Sequence, residues 1–516
     1  MQSTERLHAW LHYGLAVLAL VLAAYLWQQA PLTLDDAFIS YRYARNLVQG
    51  LGLVFNPGEF VEGYTNFLWV LIAAAAIAWD LDPFEATRAL GLLAYGLSML
   101  FCAQALYAGA PRRLTSLLSL PFLGVLLLPD GLLGSAGSGL ETSFVGALAI
   151  LLGLSLFVWP ERHRAAYALA ALVALALPLT RLDAALPVAA AAGVFWLARL
   201  PQGFMAANLR VVLQFLLPAL GLLAYLIWKW FYYGELLPNT YYAKGGDLWS
   251  WAQGLAYLRS FLASNPQAAA LLPLALLGCT TGHSGWRRFA QFALLTVLLR
   301  CVYVAKVGGD FMQYRFMWET YPLLVCASAL GIGRLASLMH PAWLVPLIAV
   351  CLALSTQPAT LDSKFGQQWP DEMDRYAREG ERVGRALAAS LPKDTIIATT
   401  LVGTIGYYTE LQVVDQWGLT DRHVGRLPVP AVVTRGHVKF APREYLRQRG
   451  VNLYIAHPQL CSCSRPCVEA LPNVFIRLGQ DQCVRAWYFG QTERLTRHFC
   501  ANPETFVLHK VSCPDA

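Results

Sequence analysis

Charge is what this chain is shortest of. Across 516 residues only 14 % are Asp, Glu, Lys or Arg, against 57 % hydrophobic residues and a mean hydropathy of +0.45. Repeated apolar runs of about 20 residues then require a polytopic membrane protein. A pattern of interleaved aromatic and basic residues is also missing, and with it any nucleic-acid partner. The first apolar run, 10–27, follows Arg6 but has no small-residue cleavage site, so it reads as a retained helix rather than a signal peptide. No internal repeat is visible. Inverted repeats with charges near the bilayer midplane are common in transporters, so a lipid-linked sugar transporter or flippase becomes the lesser reading.

What is present is arranged in two parts. Apolar segments recur at 10–27, 67–79, 88–108, 114–129, 142–158, 165–179, 184–198, 211–231, 267–280, 288–305, 317–338 and 341–356. Residues 357–516 lose them and alternate strand-like stretches (395–400, 412–414, 451–456) with helical ones (371–389, 442–450). The spacing predicts a transmembrane module over 1–356 and a separate α/β soluble domain over 357–516. Six of the eleven cysteines (Cys461, Cys463, Cys467, Cys483, Cys500, Cys513) fall in that tail. They predict three disulfides in an oxidising compartment. A zinc site is the competing reading of Cys-x-Cys-x-x-x-Cys, although no paired Cys-x-x-Cys repeats.

With the cysteine-rich end outside, the basic loops fall on the cytoplasmic side: Arg112-Arg113, Arg162 to Arg164, Arg199 to Arg210, 282–288 and Arg334. Twelve spans would return both termini to one side, so 67–79 is read as a partial or re-entrant segment, leaving about eleven. The opposite face collects the polar motifs: Asp35-Asp36; Glu59 and Glu62; Glu141; Arg181 with Asp183; Asn239 to Lys244; and Asp310 to Arg315. Ionisable groups at membrane depth are costly and mark sites. Asp36 to about Gln49 reads as an amphipathic helix lying in the interface plane, with Asp35 as its N-cap and Gly50 and Gly52 ending it.

Acids beside Lys and Arg suit transfer from a phosphate leaving group. Asp35 or Asp36 would act as general base or hold a cation, while Lys244 and Arg315 would take the growing phosphate charge. Tyr41, Tyr64, Trp69, Tyr241 and Tyr242 would line a sugar pocket or belong to an interfacial aromatic belt, and Lys244 and Arg315 could equally snorkel to lipid head groups.

The segments Asp-Asp-Ala-Phe-Ile-Ser-Tyr-Arg-Tyr-Ala (35–44), Leu-Val-Phe-Asn-Pro-Gly-Glu (53–59), Val-Glu-Gly-Tyr-Thr-Asn-Phe-Leu-Trp (61–69), Leu-Leu-Pro-Asn-Thr-Tyr-Tyr-Ala-Lys (236–244) and Gly-Gly-Asp-Phe-Met (308–312) resemble a known family. It comprises the arabinofuranosyltransferases that place terminal β-arabinofuranose on cell-wall arabinan, with related enzymes that glycosylate pilin. Val413 to Asp421 and Arg435-Gly436-His437 fit as well. The resemblance implies a GT-C type glycosyltransferase of a bacterial inner membrane, with its active site and C-terminal domain on the periplasmic side. It also implies a polyprenyl-phosphate pentose donor, a periplasmic glycan or pilin-like acceptor, and catalytic roles for Asp35 and Asp36. It allows a divalent cation, Mg2+ or Mn2+, at those two acids. Tyr41, Arg42, Glu62, Tyr64, Asn66, Glu141, Arg181, Asn239, Tyr241, Tyr242 and Asp310 become candidate substrate contacts. Donor and product in the family are both β, which a carboxylate nucleophile or a front-face route would give and a single inverting displacement would not. Arg181-Leu182-Asp183-Ala184 departs from the Arg-Pro-Asp/Glu-Gly expected there, and the six-cysteine tail is no family hallmark. Another lipid-linked sugar, or a non-catalytic sugar-binding scaffold, stands as an alternative.

Overall fold

The fold was obtained as a computed structural model, which describes residues 2–29, 32–110, 130–161, 165–198, 209–246, 251–312, 314–338, 346, 370–429, 438–467 and 471–514. Its first part is helical: α1 (Gln2–Gln29), α2 (Asp35–Val48), α3 (Phe67–Ala78), α4 (Pro83–Gly109), α5 (Asp130–Gly137), α6 (Thr142–Gly153), α7 (Ala166–Thr180) and α8 (Ala185–Leu197). There follow α9 (Leu209–Tyr233), α10 (Asn239–Ala243), α11 (Trp251–Ser264), α12 (Pro266–Gly278), α13 (Ser284–Val307), α14 (Arg315–Trp318) and α15 (Tyr321–Leu338).

Among the described residues four helices are long and apolar enough to cross a membrane: Pro83–Gly109, Gln214–Tyr233, Ser284–Val307 and Tyr321–Leu338. Two sharply bent pairs, Gly131–Gly137 with Thr142–Val158 and Trp251–Ser264 with Pro266–Gly278, raise this to six if each is one span. The expected apolar segments 114–129 and 341–356 lie outside the described residues. Helix α3 has 12 residues. At 1.5 Å per residue that is about 18 Å, short of a hydrocarbon core of about 30 Å. Close backbone approach holds the bundle together: a Cβ on Gly331 would sit 1.8 Å from the Leu274 carbonyl, and one on Gly278 2.3 Å from that of Ala327. Such small-residue seams let lipid-embedded helices gain van der Waals contact.

The second part holds α16 (Pro370–Ser390), β1 (Ile396–Thr399), α17 (Thr404–Thr409), β2 (Gln412–Asp415), α18 (Arg422–Gly425), α19 (Arg443–Gln448), β3 (Leu453–Ile455), β4 (Leu460–Ser462), β5 (Asn473–Arg477), β6 (Gln482–Tyr488), α20 (Glu493–Ala501) and β7 (Phe506–His509). The strands make one sheet in the order β2-β1-β3-β6-β5-β7, with β4 also on β6. β1 runs parallel to β2 and β3, and the pairings of β6 and β5 are antiparallel. All six tail cysteines pair as disulfides, Cys461–Cys467, Cys463–Cys483 and Cys500–Cys513, which answers the zinc alternative.

The two parts share a core. Leu32, Leu34, Phe38 and Phe55 pack in one apolar cluster with Met373, Val383, Leu387, Leu401 and Ile405. Helix α2 is therefore covered on nearly every side, with Ala37 through Ala44 all buried, rather than lying in an open interface plane. Its start also differs from the sequence reading. Leu34 is the N-cap, and Asp35 is already helical.

Candidate active site

Asp35 and Asp36 are neighbours in sequence with different surroundings. The Asp35 carboxylate turns to the sheet-bearing part and caps α17. Its Oδ1 accepts from the Thr404 backbone N–H at 2.7 Å and the Thr404 hydroxyl at 2.6 Å, and its Oδ2 accepts from the Gly403 N–H at 3.0 Å. A Cβ at Gly403 would meet the Asp35 carbonyl oxygen at 1.9 Å, so only glycine lets the two chains touch there. Burial pushes the Asp35 carboxyl up to about 6, against the pull of those donors.

Asp36 instead lines a half-open cavity with Ile39, Ser40, Gly63, Tyr64, Thr65, Asn66, Leu140, Glu141, Thr240, Lys244, Arg315 and Leu419. Its walls come from α2, the loop before α3, the start of α6, α10, α14 and the turn after β2. Three of the four charged groups on this wall have no hydrogen bond to another described residue: Asp36, Lys244 and Arg315. Lys244 is open to the cavity yet closely surrounded, and that crowding lowers its pKa. Asp36 is the foremost charge opposing the shift. The Arg315 Nε lies 3.5 Å from Asp310 Oδ2, a pairing of charges too long for a strong hydrogen bond.

The remaining candidates position this wall. Asn66 accepts from the Ser40 hydroxyl at 2.9 Å and donates to Glu141 Oε2 at 2.9 Å. Glu141 then meets Arg181 at 3.2 Å. Behind it, Arg181 and Arg300 are shared among Glu141, Asp183 and Glu319, a buried lattice of two guanidiniums and three carboxylates. Paired in this way, each charge offsets part of its neighbour's desolvation cost.

Asn239 does not reach the cavity. Its amide nitrogen donates to the carbonyls of Gly418, Leu419 and Asp421, and its backbone N–H to Glu62 O. The turn it grips is built by Asp415, which accepts from Trp417 N and Thr420 N at 2.9 Å each. The long motifs 236–244 and 413–421 thus meet as one roof that brings Thr240, Lys244 and Leu419 over the cavity.

Arg42 is buried and donates to the carbonyls of Phe55, Gly406 and Leu411. The Tyr41 hydroxyl bonds Thr87 and the Gly139 carbonyl. Glu62 pairs with the buried Lys229 at 2.6 Å. The Tyr242 ring lies under the Arg426 guanidinium, and Tyr241 packs over Gly246. None of these five lines the cavity, because each is committed to a contact elsewhere. Arg435-Gly436-His437 lies outside the described residues. Sequence reasoning missed Thr65, Thr240, Leu140 and Leu419, and missed Glu319 and Arg300 as partners of Arg181. Thr65, Thr240 and Leu419 stand inside motifs already singled out, whereas Glu319 and Arg300 lie in apolar surroundings without a motif.

Both Asp35 oxygens are taken by α17, so of the two acids Asp36 alone presents its carboxylate to the cavity.

The structure superposes on ArnT from Cupriavidus metallidurans, solved bound to undecaprenyl phosphate, with a TM-score of 0.56 at 12 % identity over 92 % of this chain and 98 % of that one. The class thus defined is a multi-pass membrane protein of the GT-C fold. In sequence the chain is arabinofuranosyltransferase-like. It is 29 % identical over 378 residues to a terminal beta-(1->2)-arabinofuranosyltransferase of Corynebacterium glutamicum, covering 65 % of this chain and 52 % of that protein. It is 28 % identical over 346 residues to the Mycobacterium tuberculosis protein of the same name, covering 59 % and 53 %. The chain spans about half the length of these curated relatives. Residues 368–505 match a family described as a domain of unknown function, DUF8728.

Proposed function

We propose that this protein is a membrane glycosyltransferase that moves a pentofuranose, D-arabinofuranose, from a polyprenyl-phosphate donor to a glycan or pilin-like acceptor on the periplasmic side of a bacterial inner membrane. The observation that carries it is one cavity that gathers a carboxylate, Asp36, and two cations, Lys244 and Arg315, none of them hydrogen-bonded through its charged group to another described residue. A bound polyprenyl-phosphate pentose would present its phosphate to Lys244 and Arg315 and its sugar to Asp36. The sequence relatives are named for arabinofuranosyl transfer, and the fold is that of a protein solved with undecaprenyl phosphate. In this reading residues 1–356 form the transmembrane module and 357–516 a periplasmic domain closing over it.

The reaction exchanges one bond at the anomeric carbon for another. The bond to the phosphate oxygen breaks and its electron pair leaves with the polyprenyl phosphate. The acceptor oxygen forms the new bond, and its proton passes to Asp36. Lys244 and Arg315 stabilise the charge gathering on the phosphate. With Asp36 as base, and with donor and product both β as the resemblance implies, the course is read as front-face. No step is assigned to a cation.

The test is the release of polyprenyl phosphate from polyprenyl-phosphate arabinose by the purified protein in the presence of an arabinan oligosaccharide as acceptor. Lys244→Ala and Arg315→Ala should each slow it, and the double variant should lose less than the two losses combined, because both act on one group. Small and independent effects would mean that these cations serve only lipid head groups.

A further inference from the structure

We infer that Tyr257, on α11, positions Arg315 for the lipid phosphate by holding Asp310; the inference rests on the phosphate-binding reading of Arg315 given above. Tyr257 carried no signal in the sequence, and it lies outside the cavity wall. It is fully buried, and its hydroxyl donates to Asp310 Oδ1 at 2.8 Å. The other carboxylate oxygen is the one that faces Arg315 Nε at 3.5 Å. Asp310 is thus fixed on one side by a neutral donor and presents its charge on the other.

The loop between α13 and α14 is shaped to make this contact. Gly308 and Gly309 both have positive φ, 88° and 83°, so the chain leaves α13 and turns directly onto α11. A Cβ on Gly309 would stand 2.4 Å from the Tyr257 ring. That close approach accounts for the second glycine of Gly-Gly-Asp. Tyr314 takes a left-handed φ of 61° just before Arg315. Its hydroxyl bonds Ser260 at 2.6 Å and Ser264 at 3.0 Å, and its ring meets that of Tyr257 edge-on at 5.4 Å. Tyr257, Ser260 and Ser264 are spaced i, i+3 and i+7, so they form one stripe of α11. That stripe grips the loop at Asp310 and again at Tyr314, the residue just before Arg315.

The consequence for binding is preorganisation. A free arginine side chain loses rotamer freedom when it clasps a phosphate, and a fixed countercharge on Nε removes part of that loss beforehand. It also leaves the two terminal nitrogens for the ligand, the arrangement suited to two-pronged phosphate contact. Asp310, read from the sequence as a substrate contact, becomes a positioning residue, since it does not line the cavity.

The experiment measures the Kd of the full-length protein in detergent micelles for undecaprenyl phosphate. Tyr257→Phe keeps the ring against Gly309 and Tyr314 and removes only the hydroxyl. It should weaken binding roughly five- to tenfold, the scale of one hydrogen bond. Asp310→Asn should weaken it at least as much. Arg315→Ala should weaken it further, and Tyr257→Phe added to Arg315→Ala should cost nothing more, because its effect passes through the missing guanidinium. Wild-type binding by Tyr257→Phe, or the same loss whether or not Arg315 is present, would reduce Tyr257 to packing and overturn the inference while leaving the phosphate reading intact. Normal binding by Arg315→Ala would overturn both.

Discussion

At the residue scale the decisive contrast is between two adjacent aspartates. A sequence shows Asp35-Asp36 as an acidic pair, and periodicity cannot reveal that one of them caps a helix almost four hundred residues away. Asp36→Asn should leave the melting temperature unchanged and lower turnover on the order of a hundredfold or more. Asp35→Asn should do the reverse: the amide replaces one acceptor by a donor facing Gly403 and Thr404, costing about 1 kcal/mol or more of stability with a modest effect on the chemical step. The pH dependence has a definite sign. Burial raises the folded Asp35 carboxyl from 3.8 to about 6, so its contribution to stability is complete below the lower value and is lost as pH rises through the higher one. Thermal unfolding of Asp35→Asn should therefore vary less with pH across that window than wild type.

Lys244 supplies the second pH test. Crowding lowers its folded value below the ordinary 10.5, and phosphate binding needs the cationic form. Affinity for undecaprenyl phosphate should fall as pH rises through that lowered value, and Lys244→Arg should retain binding into more alkaline solution. An affinity that ignores pH there would separate Lys244 from the phosphate.

At the scale of elements, α2 does the joining. Its apolar spacing was legible, and so were its end at Gly50 and Gly52 and the first three strands of the sheet. The partner of α2 was not. Arg42 read as a substrate contact because it stands in the segment 35–44 that carries the family resemblance. In the structure its guanidinium is buried against the carbonyls of Phe55, Gly406 and Leu411, linking α2 to α17 and β2. Arg42→Ala should leave those carbonyls without their donor and cost roughly 3 kcal/mol or more. The loss should appear as earlier unfolding and proteolysis of the 370–514 part, with the membrane helices intact. Unchanged proteolysis would show that the shared apolar core alone holds the parts together. The roof over the cavity was hidden for the same reason. The motifs ending at Lys244 and at Asp421 were each visible, but the three hydrogen bonds of Asn239 that join them are long-range.

At the scale of the whole molecule, the membrane class and the C-terminal α/β segment follow from where apolar runs stop, which composition records directly. The cavity does not, because it is assembled from α2, α10, α14 and a turn of the sheet, elements separated by hundreds of residues. Its formation depends on the 370–514 part packing against α2 and bringing Leu419 to the same cavity as Asp36. The central claim is that Asp36, Lys244 and Arg315 of this cavity transfer a pentose from a lipid phosphate. The most direct measurement incubates the purified full-length protein, and separately Asp36→Asn, with polyprenyl-phosphate D-arabinofuranose and an arabinan oligosaccharide, and reads products by mass spectrometry. The account predicts an acceptor one pentose heavier and an equal amount of polyprenyl phosphate with wild type, and on the order of a hundredfold less of both with the equally stable variant. Equal transfer by Asp36→Asn, or a covalent pentosyl adduct on Asp36, would contradict it.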